Sequence, residues 1–303
     1  SDPCSGTSPI RSLSDCERTG VTSSLYGSIE TPASSIATTT GGNLNLSPES
    51  AITSSLGFIF NDAENYFELD FYNINLEDQI GSSDADTILS KCLDTGLSKW
   101  CSLINRNSTT GTFHEGDGRI NTPLLNFVSN KITGVDILYK KSFETKFGIL
   151  ELSNFSNFLI KREIQQASSN IATDCRGRYE NICGMPSPKF QNILSIDLLS
   201  TIRDIPININ LRIRHIGSVD DTNVDSSRTS YDENVPFKSF TYIDPSLKFS
   251  FDSFDLRLGI NNLFDQDPPV NGQIGYVPGN GNFYPSFYDS LGRFLFLRLS
   301  AQM

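Results

Sequence analysis

The chain contains six cysteines, which could either bind a metal ion or form disulfides, and the sequence helps to decide between the two. Only two histidines accompany them and no Cys-x-x-Cys motif occurs, so a metal site built from Cys and His is disfavoured. The cysteines are grouped along the chain, which favours local disulfides and an oxidising compartment such as the periplasm or the cell surface. The three short-range pairs are Cys4 with Cys16, Cys92 with Cys101, and Cys175 with Cys183.

Two short acidic clusters are candidates for acid-base or metal chemistry. His114, Glu115 and Asp117 lie in a Gly-rich stretch with no second histidine close in sequence, which is typical of an ordinary loop. Asp84 and Asp86 lack the further ligands of a calcium loop and are typical of carboxylates at a helix start. A glycoside hydrolase needs two carboxylates roughly 5 to 10 Å apart across a cleft, and no motif indicates such a pair. We therefore expect no catalytic residues, no metal and no cofactor.

The composition disfavours two broad classes of protein. The 303 residues carry a net charge of -11 with a pI near 4.7, whereas a nucleic-acid surface needs clustered Lys and Arg. No apolar run approaches the roughly 18 residues that a membrane-spanning helix requires. A transmembrane β-barrel is compatible, because its strands need only about 9 to 11 residues with apolar side chains at alternate positions.

Apolar and polar residues alternate along much of the chain, most clearly at 205–215. There Ile207 and Ile209 share one face while Asn208 and Arg212 share the other, which indicates a half-buried strand. We predict an all-β, antiparallel fold with about nine strands. The predicted strands lie near 51–60, 65–77, 131–142, 146–162, 188–200, 205–215, 237–251, 254–264 and 292–302.

The connections between the predicted strands alternate strictly between short and long. Outer-membrane barrels have short periplasmic turns and long extracellular loops, whereas a soluble sandwich has no reason to place every long loop at one end. The polar faces also carry Arg212, Arg214, Asp244, Lys248 and Arg257, which a wet interior accommodates and a dry core does not. The long connections are 78–130, 163–187, 218–236 and 265–291.

This pattern predicts a transmembrane β-barrel segment with long extracellular loops. We expect residues 1–50 to be an extracellular loop segment and residues 51–303 to belong to the barrel. One short loop helix is expected within 83–99, where Ser82 or Ser83 is available as the N-cap. The first residues carry no signal-peptide features, so we expect further sequence upstream.

Two ordered motifs near the end of the chain resemble those of TonB-dependent outer-membrane receptors. The segment 259–269 resembles the Gly-x-Asn-Asn-Leu-Phe-Asp-x-x-Pro-Pro ending of the penultimate strand, and 284–293 resembles the lead-in to the final strand. Two earlier segments, 41–49 and 101–106, resemble a turn and a cysteine-containing loop of the same receptors. The matching motif residues are Gly259, Asn261, Asn262, Leu263, Phe264, Asp265, Pro268, Pro269, Tyr288, Asp289, Gly292 and Arg293.

The resemblance implies a roughly 22-stranded barrel plugged by an N-terminal domain, with this chain holding its last strands. Neither the plug nor the segment that contacts TonB is found in these residues. Members import scarce nutrients such as iron chelates, cobalamin or oligosaccharides, with energy delivered from the inner membrane through TonB. The implied partners are a small-molecule nutrient, the TonB complex and outer-membrane lipid, and the implied location is the bacterial outer membrane.

For the motif at 261–269 we predict a structural role, since Asn and Asp satisfy strand-end backbone groups and Pro stops strand pairing. Exposed aromatic residues in the outer loops are the candidates for ligand contacts: Trp100, Tyr276, Phe283 and Tyr284. Four aromatic residues at the periplasmic strand ends are predicted membrane-interface anchors: Tyr66, Phe67, Phe251 and Phe254.

Two features bear on assembly. The chain ends at Met303, whereas the family usually closes with an aromatic residue. Nine strands alone leave two open edges, so we expect that residues 1–303 alone cannot insert.

Two further functions are considered beside import. A secreted or surface-attached β-sandwich that binds carbohydrate would share the disulfides, the acidic charge and the loop aromatics, and predicts two sheets around a dry core. A diffusion porin without a plug differs from the receptor only in upstream sequence.

Overall fold

The computed structural model describes residues 2–31, 35–165, 172–179, 183–221, 236–270 and 283–301. Its helices are α1 (Leu13–Glu17), α2 (Ala85–Thr95) and α3 (Ser98–Cys101). Its strands are β1 (Thr38–Gly41), β2 (Ser50–Asn61), β3 (Asn65–Ser82), β4 (Ile104–Asn105), β5 (Arg119–Thr145), β6 (Gly148–Gln165), β7 (Thr173–Asp174), β8 (Arg178–Tyr179), β9 (Phe190–Ile202), β10 (Ile205–Ile216), β11 (Asp220–Asp221), β12 (Phe240–Ser250), β13 (Phe254–Asn261) and β14 (Phe294–Ala301).

Nine long strands form one sheet in the order β14-β13-β12-β10-β9-β6-β5-β3-β2. Strands that follow one another in this path are neighbours in the sheet, and β6, β9, β10, β12, β13 and β14 pair antiparallel in turn. This confirms the predicted all-β antiparallel fold. The main difference is β5, which begins at Arg119 rather than Lys131 because its first residues pair with β1 and β4.

The register aligns apolar residues in rows across one face of the sheet, the outer face, and polar residues across the other, the inner face. Leu258 and Leu297 of an apolar row are 42% and 68% exposed, as expected of side chains that face lipid rather than a protein core. That row consists of Leu150, Leu198, Ile209, Leu247, Leu258 and Leu297. The adjacent inner row consists of Glu151, Asp197, Asn210, Ser246 and Gly259.

Short turns join alternate strands, as predicted. Arg203 and Asp204 connect β9 to β10 with φ angles of 48° and 66°. Positive φ at both central residues gives a turn whose twist matches that of the flanking strands, so the hairpin closes with two residues.

The predicted interface anchors differ in their side-chain directions. Tyr66 lies on the inner face, where its hydroxyl donates to Glu68 Oε2 at 2.5 Å. Its prediction as an anchor is wrong, because strand alternation places it with Glu68 rather than with Phe67. Phe251 and Phe254 stack with ring centroids 4.6 Å apart at the turn between β12 and β13.

The chain divides into two compact units. Unit 1 comprises Ser1–Ala51, Leu76–Ser129 and Gln165–Ala172, and unit 2 comprises Ile52–Asn75, Asn130–Ile164 and Thr173–Met303. Unit 1 has a dry core around α2, whose buried members are Val21, Ile29, Ile88, Leu89, Leu93, Trp100, Phe113 and Ile120, together with half-cystines. Unit 2 contains most of the sheet and a smaller aromatic core.

Helix α2 is the predicted loop helix, and two shorter helices accompany it. Asp84, not Ser82 or Ser83, is its N-cap: the Asp84 carboxylate accepts from the Thr87 N–H at 2.7 Å. Gly96 ends the helix in the left-handed conformation with φ 64°. No described helix is long and apolar enough to cross a membrane.

All three predicted disulfides are present. Cys4–Cys16 and Cys92–Cys101 lie in unit 1, and Cys175–Cys183 lies in unit 2, with Cα–Cα distances of 5.8, 4.9 and 5.3 Å. Each bond closes a short loop within one chain segment, so the sequence grouping was sufficient to predict the pairing.

Candidate functional site

The candidate site begins with four charged residues on the inner face of unit 2, which we call the inner ion-pair network: Arg212, Arg214, Asp244 and Asp289. Strand β10 supplies both arginines at alternate positions, so both point to the inner face. Strand β12 supplies Asp244 directly opposite Arg212 in the register. Asp289 comes from the connection before β14.

Arg214 holds the network together. Its Nε donates to Asp244 Oδ2 at 2.6 Å, and its Nη2 donates to Asp289 Oδ2 at 2.5 Å. Its Nη1 and Nη2 make two further bonds, to Asp289 Oδ1 at 3.1 Å and Asp244 Oδ1 at 3.2 Å. The guanidinium also lies over the Tyr242 ring at 4.7 Å from its centroid. Arg214 thereby ties a loop carboxylate to the sheet through charge-assisted bonds.

Arg212 is bound more loosely. Its Nε and Nη2 donate to Asp244 Oδ2 at 3.3 and 3.2 Å, and its side chain is 45% exposed. The Asp244 side chain is only 4% exposed and serves both arginines. Arg212 is therefore the member of the network best able to take a new anionic partner.

The first motif, residues 259–269, contacts Asp244 through Asn262. Asn262 donates its backbone N–H to Asp244 Oδ1 at 2.8 Å and is buried in the left-handed conformation with φ 53°. Its side chain donates to the Gln266 carbonyl and accepts from the Gln266 N–H, both at 2.9 Å. These bonds end β13 and turn the chain, in keeping with the predicted structural role, which stays a prediction.

The structure brings the two motifs together. Asp265 of the first motif accepts from the Arg293 N–H of the second at 2.6 Å. Gly292 has a φ of 63°, and a Cβ there would lie 2.7 Å from Asp265 Oδ1, so a larger residue would disturb this contact. Gly259 similarly lies beneath the Phe296 ring, where a Cβ would be 2.3 Å from the nearest ring atom.

The remaining motif residues have varied environments. Phe264 is 62% exposed, and Asp265 is also exposed. Leu263, Pro268 and Pro269 are half-buried.

An aromatic core, the aromatic cap, joins three of the long connections of unit 2. Tyr179, Phe237, Tyr284 and Tyr288 are each at most 6% exposed and come from the connections before β9, β12 and β14. Tyr179 stacks on Phe237 with centroids 4.4 Å apart, and Tyr288 meets Phe237 edge-on at 5.9 Å. Sequence reasoning missed the roles of both Tyr179 and Phe237: Tyr179 lies outside every predicted strand, and Phe237 was placed at the start of the strand predicted at 237–251, whereas β12 begins at Phe240.

Tyr288 is the chemically unusual member of the cap. Its hydroxyl is buried and has no hydrogen-bond partner among the residues that the structure describes. Burial raises the pKa of the Tyr288 phenol, because an apolar environment disfavours the phenolate.

A cavity of about 290 Å³ is lined by residues that include Arg212, Arg214, Tyr288, Asp289 and Phe294. Its volume is close to the lower end of small-molecule sites. The cavity combines an aromatic wall with cationic and anionic groups, which suits a polar ligand that carries acceptors. No covalent chemistry is indicated by these residues.

Two of the four predicted ligand-contact residues are not exposed. Trp100 is 4% exposed within the core of unit 1, and Tyr284 is 6% exposed within the aromatic cap. The expectation that they are exposed is wrong because these loops have hydrophobic cores of their own. Phe283 is half-buried, and Tyr276 lies outside the described residues. Ligand contact itself stays a prediction for all four.

The acidic clusters show loop and helix-cap geometry. His114 Nε2 lies 3.8 Å from Glu115 Oε1. Across the described ranges, no group of three or more His, Cys, Asp or Glu is arranged to hold a metal ion.

The family can now be identified. The model of the TonB dependent receptor-like β-barrel matches residues 12–263, and the chain belongs to this family. Its members are receptors and transporters of the bacterial outer membrane rather than enzymes. A search of curated protein sequences gives no significant match.

Solved structures show the same fold at low sequence identity. The FrpB iron transporter from Neisseria meningitidis is 12% identical with a TM-score of 0.52. A variant of the ferric enterobactin receptor PfeA from Pseudomonas aeruginosa, in complex with enterobactin, is 15% identical with a TM-score of 0.56. The siderophore receptor PirA from Acinetobacter baumannii is 16% identical with a TM-score of 0.53. Each match covers 86% of this chain and 32% of the other, so the chain spans about a third of their length.

Proposed function

We propose that this chain forms part of the barrel wall of an outer-membrane receptor that imports a scarce nutrient with energy supplied through the inner-membrane TonB complex. The observation that carries the proposal is the sheet with an apolar outer face and an inner face that bears the ion-pair network, which lines one cavity together with Tyr288 of the aromatic cap. The outer face suits lipid, and the inner face suits a polar ligand in transit. The comparisons give a β-sandwich adhesin no support.

An iron chelate is the nutrient class to test first. The solved structures with this fold include an iron transporter, a receptor bound to enterobactin and a siderophore receptor. Ferric chelates commonly carry negative charge, and the half-exposed Arg212 beside the cavity is able to donate charge-assisted hydrogen bonds to them. Cobalamin and oligosaccharides are the alternatives.

Within this proposal, Arg212 contacts the ligand and Arg214 positions the loop. Arg214 has two carboxylate partners, so it holds Asp289 and the base of the last long connection against the wall. Phe283 precedes the aromatic cap in the same connection and is the predicted aromatic contact that remains partly accessible. Transport then consists of capture and passage without bond formation in the ligand.

The test is uptake of ⁵⁵Fe-labelled chelates by iron-starved cells that carry or lack the complete protein. We expect uptake of at least one chelate to depend on the protein and to be abolished by a proton-motive-force uncoupler. Arg212→Ala is expected to raise the half-saturating chelate concentration, whereas Arg11→Ala, which removes an exposed arginine of unit 1, is expected to leave it unchanged. Uptake that persists in uncoupled cells would contradict active import.

We also propose that residues 1–50 are extracellular and that the barrel occupies the rest of the chain. Proteinase K added to intact cells is expected to cleave within 1–50 after the disulfides are reduced. Protection of that segment in intact cells, together with cleavage in lysed cells, would contradict the assignment.

A further inference from the structure

The two carboxylates of the inner ion-pair network are held very differently. The Asp244 side chain is 4% exposed, belongs to strand β12, and accepts from both arginines and from the Asn262 N–H. The Asp289 side chain is 27% exposed and belongs to the connection before β14. Among the residues that the structure describes, its carboxylate accepts only from Arg214. Asp289 is therefore the carboxylate that can leave the network without disturbing the sheet.

Asp289 binds Arg214 with the geometry of an anionic ligand. Nη1 and Nη2 of Arg214 donate side by side to Asp289 Oδ1 and Oδ2, at 3.1 and 2.5 Å. Arginine recognises carboxylates and phosphates by this bidentate geometry, and a ligand with two adjacent anionic oxygens matches it equally well. Both side chains line the cavity of about 290 Å³, so a ligand in the cavity can contact the guanidinium once Asp289 moves aside.

The departure of Asp289 changes the charge of the cavity wall. With all members ionised, the network contains two cations and two anions. Without Asp289 it keeps both arginines and the single buried carboxylate of Asp244, so the wall gains a net positive charge. Because a partly buried charge is screened less than one in water, the attraction for an anion is strongest at the position that the Asp289 carboxylate occupied.

We infer that Asp289 is a built-in competitor for the ligand: an anionic group of the ligand replaces the Asp289 carboxylate on Arg214, and Asp289 moves away with the connection that carries it. This inference rests on the proposed function and adds a partner exchange at Arg214, which positions the connection only until the ligand arrives. Breaking the ion pair subtracts from the free energy of binding, so Asp289 sets a minimum strength for the anions that can bind.

The first test compares ligand binding by the complete protein and by its Asp289→Asn variant, measured by isothermal titration in detergent. The probe is ferric enterobactin, an anionic chelate. Asn keeps the size of the side chain and removes its charge, so the variant is expected to bind the probe about three- to tenfold more tightly. Asp267→Asn is the matched control, because it removes the same charge from an exposed position of the same connection. Its affinity is expected to equal that of the unsubstituted protein.

The outcomes separate this inference from the proposed function. Equal affinities of the unsubstituted protein and Asp289→Asn overturn the inference alone. Binding of the probe by neither protein overturns the inference together with the choice of an anionic iron chelate. A ferric trihydroxamate without negative charge is expected to gain no affinity from Asp289→Asn. An equal gain for that chelate would mean that the variant only enlarges the cavity, which also overturns the exchange.

The second test follows Asp289 itself and needs no substitution. The Asp289 N–H donates to the Tyr242 hydroxyl at 3.3 Å. If the carboxylate leaves Arg214, this bond is lost as well, so adding the probe to the unsubstituted protein is expected to accelerate hydrogen exchange of the Asp289 amide. The amides of β10 are the internal reference and are expected to keep their rates. A ligand that only covers the site slows exchange of the Asp289 amide, and that result overturns the inference.

Discussion

The two compact units use the same apolar residue types in opposite ways. In unit 1, Ile88 and Leu93 are fully buried around helix α2. In the sheet of unit 2, Leu258 and Leu297 form a continuous apolar row and are 42% and 68% exposed. The difference shows that hydrophobicity alone does not decide burial within the chain. Unit 1 has the distribution expected of a domain in water, and the sheet has that of a wall in lipid.

The units also differ in how they are held together. The sheet has backbone ladders between long strands. Unit 1 joins separate segments around a small core, and its two disulfides each close a loop within one segment. Contacts between its segments are therefore non-covalent, and among the ion pairs of the described residues the most buried is that of Arg106 and Asp2. Arg106 donates to both Asp2 carboxylate oxygens at 2.6 and 2.9 Å, with side-chain exposures of 2% and 1%.

The largest expected effect is on that ion pair. Arg106→Ala leaves the Asp2 carboxylate buried without its cation and is expected to destabilise unit 1 by about 3–5 kcal/mol. Hydrogen exchange of the α2 amides in the complete protein measures this change. Arg11→Ala is the control, because the Arg11–Asp94 pair is exposed and contributes less than about 1 kcal/mol. Equal effects of the two substitutions would show that the core, not the ion pair, holds the segments.

The second prediction tests whether the apolar outer face of the sheet contacts lipid. Leu258→Arg places a charge in the outer apolar row and is expected to cost about 2–4 kcal/mol when the protein is folded in lipid. Asn210→Arg, on the inner face opposite Asp197, is expected to change stability by less than about 1 kcal/mol. The measurement is equilibrium unfolding in lipid vesicles. Similar costs at both positions would mean that the outer and inner faces have the same surroundings, which contradicts a lipid-facing outer face.

The third prediction concerns a dry core within unit 2, the aromatic cap. Tyr288→Phe removes a buried hydroxyl that has no partner in the described ranges, so it is expected to stabilise the cap by about 1 kcal/mol. Tyr242→Phe is the opposite control, because the Tyr242 hydroxyl accepts from the Asp289 N–H at 3.3 Å and its loss destabilises. Near-ultraviolet circular dichroism during unfolding follows the cap. A destabilised Tyr288→Phe protein would indicate that the hydroxyl is in fact bonded.

The pH dependence of the cap sharpens the same prediction. Burial raises the pKa of Tyr288 above its ordinary value of 10.0. Titration of Tyr288 therefore leaves the stability of the cap unchanged below pH 10 and lowers it as pH rises from 10 through the higher pKa of the folded state. Tyr288→Phe is expected to keep the cap intact to higher pH, with phenolate absorbance as the measurement.

Local patterns explain which parts of the molecule were predictable. Strand β10 was predicted at 205–215 and is observed at Ile205–Ile216, because alternation is a property of neighbouring residues. The disulfides were predictable for the same reason. The bond of Arg214 to Asp289 spans 75 residues, and the contacts of Tyr179 with Phe237 join two separate connections, so neither has a local signal. Trp100 was misjudged because a loop long enough to form its own core buries its aromatic residues.

The smallest expected effect is at the turn between β2 and β3, where the structure relies on a polar contact at the surface. Asp62 accepts from the N–H groups of Glu64 and Asn65 at 2.9 and 2.7 Å, and these bonds hold its pKa below the ordinary 3.8. The bonds favour the carboxylate, so their contribution is complete above pH 3.8 and is lost as pH falls through the lower pKa of the folded turn. Exchange of the Asn65 amide is expected to accelerate, relative to its intrinsic rate, below that pKa. Asp62→Asn keeps an acceptor without a titrating group and is expected to abolish this pH dependence, whereas an unchanged dependence would assign it to another carboxylate.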